Sequence, residues 1–365
     1  MPTRQCNCRF NFILPALKVS GGVKETVKIA DELASYGCRV ELISMWRGVS
    51  EVDSKHYTKF LSEFTASKVK AIYQIFLIFL KFVDYYSFKK KIAEKQSIGN
   101  ELWVFTHYST FPLAMLIPEN KRLFFVQGKE WQFENKRIFN FFLKKIIFYF
   151  YKQGRVLSAN KYLTGVLRQE GVQIYAEMPI WADAEFYSKV NQDRIFDFVM
   201  VLRRGPVKRL DMYLEFISKC LYSGEKVRLA VISPDKSIID IVSNTVEHCY
   251  LDPTVEQMKS IYGQSKFFIM LSENEGFGLP PLEAMGSGCV PICRDSGGVN
   301  AYMKGVLAKN VLSRDLDINE IFEYAISVLN DEKYDELPLF CQKIFYEGLG
   351  NVKNRTKMLL GLLMC

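Results

Sequence analysis

The sequence predicts an α/β protein made of two doubly wound units, each built on a parallel sheet. Three observations predict it. The chain has 365 residues, more than one hydrophobic core usually serves. Short β-type runs alternate with helical periodicity through residues 10–158. The same alternation restarts at Phe196, after a stretch at 179–194 that mixes Pro, Asp, Asn and Gln and reads as an interdomain linker.

The first half opens with an apolar strand at 10–14, followed by a loop carrying Ser20, Gly21 and Gly22. Residues 23–36 have helical periodicity and Gly37 is a natural stop. Further strands are expected at 38–44, 102–106, 123–126 and 156–158. The second half reads as strand 196–202, helix 210–221, strand 227–232, helix 255–262, strand 267–271, a glycine-rich loop, a helix from about Pro281 and strand 290–293. Strands alternating with helices imply parallel pairing with crossovers, and ligands of such sheets bind at the carboxyl ends of the strands. The expected division is 1–185, 186–345 and a C-terminal helix at 346–365 returning toward the first domain.

The net charge of +8 is unevenly spread. Residues 1–185 hold 27 Lys and Arg against 17 Asp and Glu, whereas 186–365 hold 21 against 23. A basic half points to an anionic partner: a membrane surface, a phosphate-bearing substrate or nucleic acid. No recognised nucleic-acid motif accompanies it, so nucleic acid is not an expected partner. The nine cysteines have no framework spacing, and Cys6 and Cys8 lack the second ligand pair of a zinc site. Reduced thiols in a cytoplasmic protein fit this usage.

No apolar run reaches the ~18 residues of a membrane span. Residues 69–83 come nearest, but Lys70, Gln74 and Lys81 interrupt them on one helical face. Residues 138–151 place Asn140, Lys144 and Lys145 on one side and Phe, Ile and Tyr on the rest. Both segments read as amphipathic helices with wide apolar faces, suited to peripheral contact with an anionic membrane, on the inner face of the cell membrane.

The chemistry concentrates between Glu275 and Glu283. Gly276 and Gly278 permit a tight turn and close approach of the backbone to a ligand. Pro280 and Pro281 suit a helix start. Amides around Phe277, Gly278 and Leu279, with the helix N-terminus, can receive phosphate oxygens. Ionised carboxylates only accept hydrogen bonds, so Glu275 and Glu283 suit pairs of sugar hydroxyls.

This segment, with Gly288, Pro291-Ile292 and Asp295-Ser296-Gly297-Gly298, resembles the signature region of the family 4 retaining glycosyltransferases. The resemblance implies the GT-B fold, two Rossmann-like domains facing a central cleft. It implies that Glu275 contacts the hydroxyls of the transferred sugar, that Glu283 holds the ribose, and that the amides of Phe277, Gly278 and Leu279 line the diphosphate. Residues 201–208 resemble the family's basic loop, with Arg203 and Lys208 neutralising the diphosphate and Arg204 as the alternative to Arg203. The family's glycines flanking that loop are Leu202 and Arg209 here. Gly21 and Gly22 resemble its N-terminal glycine loop, which implies donor binding near the phosphate and the acceptor, and His107 resembles its histidine at a strand end, taken as a catalytic candidate. A second family histidine is replaced by Gln127, in a Val126-Gln127-Gly128 context with Glu130 nearby, similar to some bacterial surface-polysaccharide rhamnosyltransferases. Met178–Asp183 matches the family's linker in hinge position only.

The function implied is retaining transfer of a sugar from a nucleotide-sugar to a glycan or lipid-linked saccharide in surface-polysaccharide synthesis. It implies front-face attack, without a separate base, without metal and without a cofactor. The competing expectations are a GT-B sugar-nucleotide epimerase, a phosphorylase, for which the cofactor lysine motif is missing, and a non-catalytic sugar-nucleotide binding protein.

Overall fold

The computed structural model describes residues 8–16, 21–46, 54–61, 80–87, 100–132, 137–189, 193–205, 207–352 and 354–364. The chain divides into two compact units, Met1–Met178 with Arg355–Cys365, and Pro179–Asn354. The boundary therefore falls at Met178 instead of 185, and the C-terminal return begins at Arg355 instead of 346.

The first unit holds β1 (Cys8–Ala16), β2 (Arg39–Trp46), β3 (Tyr57–Phe60), β4 (Asn100–Phe105), β5 (Arg122–Val126), β6 (Arg155–Ser158) and β7 (Ile174–Glu177). They form one sheet in the order β3-β2-β1-β4-β5-β6-β7, with parallel pairing throughout. Its helices are α1 (Gly21–Ser35), α2 (residues 80–87), α3 (Phe111–Ala114), α4 (Arg137–Tyr151) and α5 (Lys161–Gln169). β1 is buried on both faces through Leu14, Arg9 and Asn11 included, as expected where helices cover both sides of a parallel sheet. α1 buries Val23, Thr26, Val27, Ala30 and Leu33, the spacing of one helical face.

Two sequence expectations change here. Gly21 and Gly22 lie in the first turn of α1, not in a loop. A Cβ on Gly22 would stand 3.1 Å from Gln127 Oε1, so this glycine admits a close side chain. In α4, Asn140 and Lys144 are half-buried, while Lys145 lies on the opposite, exposed side among apolar residues. Tertiary packing claims the side that the sequence suggested for solvent, and Lys144 is satisfied there by Glu170 at 2.6 Å. Of the expected helix at 69–83, only residues 80–83 fall among the described residues, within α2; Lys70, Gln74, Cys6 and Ser20 lie outside them.

The second unit holds β8 (Phe196–Val201), β9 (Leu229–Ser233), β10 (His248–Leu251), β11 (Ser265–Met270), β12 (Val290–Arg294) and β13 (Val311–Leu312). The order β10-β9-β8-β11-β12-β13, all parallel, is the doubly wound arrangement with its switch point between β8 and β11. Its helices are α6 (Leu210–Tyr222), α7 (Lys236–Val242), α8 (Val255–Gly263), α9 (Leu279–Gly286), α10 (Ile318–Leu329) and α11 (Leu337–Val352). Finally, α12 (Arg355–Met364) belongs to the first unit. Among the described residues no helix is long and apolar enough to cross a membrane.

The expected linker at 179–194 is largely part of the second unit. Ser188 donates to Gly286 O at 3.1 Å, Ser287 Oγ to Phe186 O at 3.0 Å, and Trp181 Nε1 to Phe345 O at 3.0 Å. These bonds tie the segment to α9 and α11 through its backbone and the Trp181 ring.

Candidate functional site

In the second unit the carboxyl ends of the central strands β8 and β11 carry the predicted acids and cations. The loop after β8 is tied to the loop after β11 by Glu273 N donating to Val207 O at 2.8 Å. That bond sets Lys208 beside Glu275, and Lys208 Nζ donates to Glu275 Oε1 at 2.7 Å. Both side chains are partly exposed, 29% and 18%, so the pair is open to solvent and to a ligand. Glu275 is further fixed by its backbone, which bridges to Gly297 and donates to Ser296 O at 3.1 Å.

Arg209 occupies the position where the family resemblance places a glycine, and it adopts φ 51, the left-handed region. That conformation costs a non-glycine residue about 1 kcal/mol. Asp211 grips the Arg209 guanidinium at 3.0, 3.1 and 2.7 Å, which holds the strained residue at the N-cap of α6.

Beyond Glu275 the chain turns through Gly278, whose φ of 79 makes it the left-handed N-cap of α9. No side chain caps this helix. Pro280 and Pro281 supply no N–H, so they leave no unsatisfied donor there. The amides of Phe277, Gly278 and Leu279 have no acceptor among the described residues. Three successive unpaired amides at a left-handed turn form a concavity for an anion. Beneath the turn, Tyr302 donates to Gly278 O at 2.6 Å, and the rings of Trp181, Phe277 and Tyr302 meet at 5.4–6.3 Å. Burial, then the charges of Cys293, Glu275 and Glu283, push the Tyr302 phenol well above its ordinary range. Both acids therefore lie within electrostatic reach of one ring. Gly298 is required by sterics, because a Cβ there would sit 2.6 Å from the backbone of Phe277.

The two candidate arginines differ. Arg204 is held by Asp235 at 3.0 Å and by Ser237 at 2.9 Å. Arg203 is exposed and has no ion pair among the described residues.

In the first unit Gly21, Gly22, His107 and Gln127 stand at the carboxyl ends of the adjacent strands β1, β4 and β5. Gln127 Nε2 donates to Thr26 Oγ1 at 3.3 Å, and its buried Oε1 has no hydrogen-bond partner among the described residues. His107 caps the turn at 108–110: Ser109 N donates to Nδ1 at 3.3 Å, and Ser109 Oγ lies 2.9 Å from the same nitrogen. Tyr108 N donates to Glu130 Oε2 at 2.7 Å. Burial raises the Glu130 carboxyl to about 8 against the lowering effect of that bond. The aromatic floor of Trp181 and Tyr302 escaped sequence reasoning. Its only signals were a Trp inside an apparent linker and a Tyr past the glycine pair.

Over the whole chain the fold is similar to that of a sucrose-phosphate synthase from Thermosynechococcus elongatus, with a TM-score of 0.70, 13% identity, and coverage of 98% of this chain and 96% of that one. The fold is GT-B. Residues 183–338 match the family model described as Glycosyl transferases group 1, so the second unit carries a domain of that class. "Putative glycosyltransferase 41" of Sulfolobus islandicus filamentous virus is 33% identical over 113 residues, 31% of each chain. The GDP-mannose:cellobiosyl-diphosphopolyprenol alpha-mannosyltransferase of Xanthomonas oryzae pv. oryzae is 42% identical over 45 residues, 12% of each chain. The matched regions thus span under half the length of these curated relatives.

Proposed function

We propose that the protein is a retaining glycosyltransferase of family 4 that takes its sugar from a nucleotide-sugar. The observation that carries this reading is the Lys208–Glu275 pair at 2.7 Å beside the three unpaired amides of Phe277, Gly278 and Leu279. The amides receive diphosphate oxygens, and Lys208 and the exposed Arg203 neutralise charge as the diphosphate leaves. Glu275, held by Lys208, accepts from hydroxyls of the transferred sugar, and Glu283 accepts from the ribose. The departing diphosphate takes the acceptor proton on the same face, so configuration is retained and positioning is the protein's main contribution. In the first unit His107 takes a catalytic role and the Gly21-Gly22 helix start a donor-binding one. Neutralisation by side chains and amides leaves no task for a metal or cofactor.

The acceptor is a glycan or lipid-linked saccharide used in surface-polysaccharide synthesis, met at the inner face of the membrane. The diphosphopolyprenol acceptor named for the Xanthomonas relative supports this choice, as does the basic balance of residues 1–185.

Glu275→Gln and Lys208→Ala should each lower transfer at least about tenfold, or ~1.4 kcal/mol of transition-state stabilisation. Arg203→Ala should do the same, while Arg204→Ala, whose side chain already serves Asp235, should change the rate less than about threefold. Product anomers read by NMR check retention, and unchanged turnover in EDTA checks the absence of metal. Wild-type rates in both the Glu275 and Lys208 variants reject the site. Release of nucleoside diphosphate without acceptor would point instead to an epimerase or another reaction class, and no turnover at all to a binding protein.

A further inference from the structure

From the exposed face of α4, we infer that this helix is a membrane-docking element that lies in the plane of an anionic bilayer. The inference deepens the membrane contact proposed above, but it rests on binding and stands apart from turnover.

α4 has two opposite faces. Ile147, Phe148, Phe150 and Tyr151 are buried in the core of the first unit, where Phe148 meets Trp131 at 4.9 Å and Tyr151 meets Phe124 at 5.9 Å. That packing fixes the rotation of the helix. Ile138, Phe141, Phe142, Ile146 and Tyr149 therefore project outward, each 55–64% exposed. Their spacing of three and four residues puts them on one stripe. A solvent-facing stripe is normally polar. A contiguous row of large apolar side chains marks an interaction surface.

Charge chooses the occupant. Residues 137–152 contain no Asp or Glu, and Lys145 lies within the stripe with its Nζ 4.5 Å over the Phe141 ring. Lys145 has no ion pair among the described residues, and Lys152 is exposed just past the helix. A second copy of the same face would bring like charges together with no counter-charge. A bilayer supplies both an apolar layer for the rings and lipid phosphates for the ammonium groups, which reach the headgroups from long stems. The 15-residue helix is about 22 Å long, a length that suits lying in the interface.

The test is flotation of the full chain with vesicles of phosphatidylcholine mixed equally with phosphatidylglycerol, and with phosphatidylcholine alone. The protein should float with the anionic vesicles, less at high salt, and weakly with the neutral ones. Changing Phe141, Phe142 and Ile146 together to Ser should lower partitioning at least about tenfold with an unchanged or higher melting temperature, because these side chains leave water only on docking. Lys145→Glu, a single exposed change that keeps the core intact, should weaken binding several-fold. Absence of wild-type flotation overturns the inference, as does equal flotation of both variants. A dimer that the triple change dissociates, without wild-type flotation, would assign the face to a second copy and overturn it too.

Discussion

The two units share one architecture and stabilise it by different means. Both central sheets run in the order third-second-first-fourth-fifth, and both place their candidate residues at the carboxyl edge. The first unit buries ionisable groups: Arg9, Glu25, Glu41, Glu101, Glu130 and Arg355 are all under 10% exposed. In the second unit Glu275 and Lys208 stay partly open, and the loop that holds them is shaped by glycines and rings. Among the described residues the second unit buries fewer charged side chains, Asp197 and Arg294.

The largest test of this contrast is Arg355, on α12. Its guanidinium is 1% exposed and bonds Glu32 at 3.0 and 2.5 Å as well as Glu25, which is itself 1% exposed. Burial opposes the charge, but the bonds to Glu32 and Glu25 raise the pKa of Arg355 further. Arg355→Ala leaves Glu25 buried with Lys28, at 3.6 Å, as its remaining ion pair among the described residues. It should lower stability by about 3–5 kcal/mol, read by denaturant unfolding. A loss under about 1 kcal/mol would mean that buried charge does not hold the first unit.

A smaller test lies in the second unit. Gly298→Ala drives a Cβ into the Phe277 backbone, and should cost about 1–3 kcal/mol together with a loss of nucleotide binding. Full stability with full binding would show that the loop is not sterically fixed.

The last test concerns Glu130, whose folded value of about 8 exceeds its ordinary 4.5. Between those values the folded state holds a proton that the unfolded state has lost. The stability this gives is complete below about pH 4.5 and is lost as pH rises through 8, with a slope of at most about 1.4 kcal/mol per pH unit. Glu130→Gln should remove that share of the pH dependence of unfolding. A variant with the wild-type slope would place the charge elsewhere.

Much of this was legible in residue patterns. Alternation of apolar runs with helical periodicity showed the two parallel units, because parallel strands buried on both faces are continuously apolar. The Glu275–Glu283 segment was legible because glycine and proline at those positions have few other uses. Arg203 and Arg204 were not separable in sequence; Asp235 and Ser237, more than thirty residues on, make the difference.

By itself, the amino-acid order determined the strand and helix menu, the glycine turn before α9 and the basic balance of the first half, since all depend on local backbone preference or simple charge count. Tertiary structure alone decided which side of α4 faces outward, which arginine Asp235 holds, that Trp181 underlies the glycine turn before α9 and that Glu130 holds a proton near neutrality. Those properties depend on what distant segments bring within a few ångströms, and on how much water they exclude.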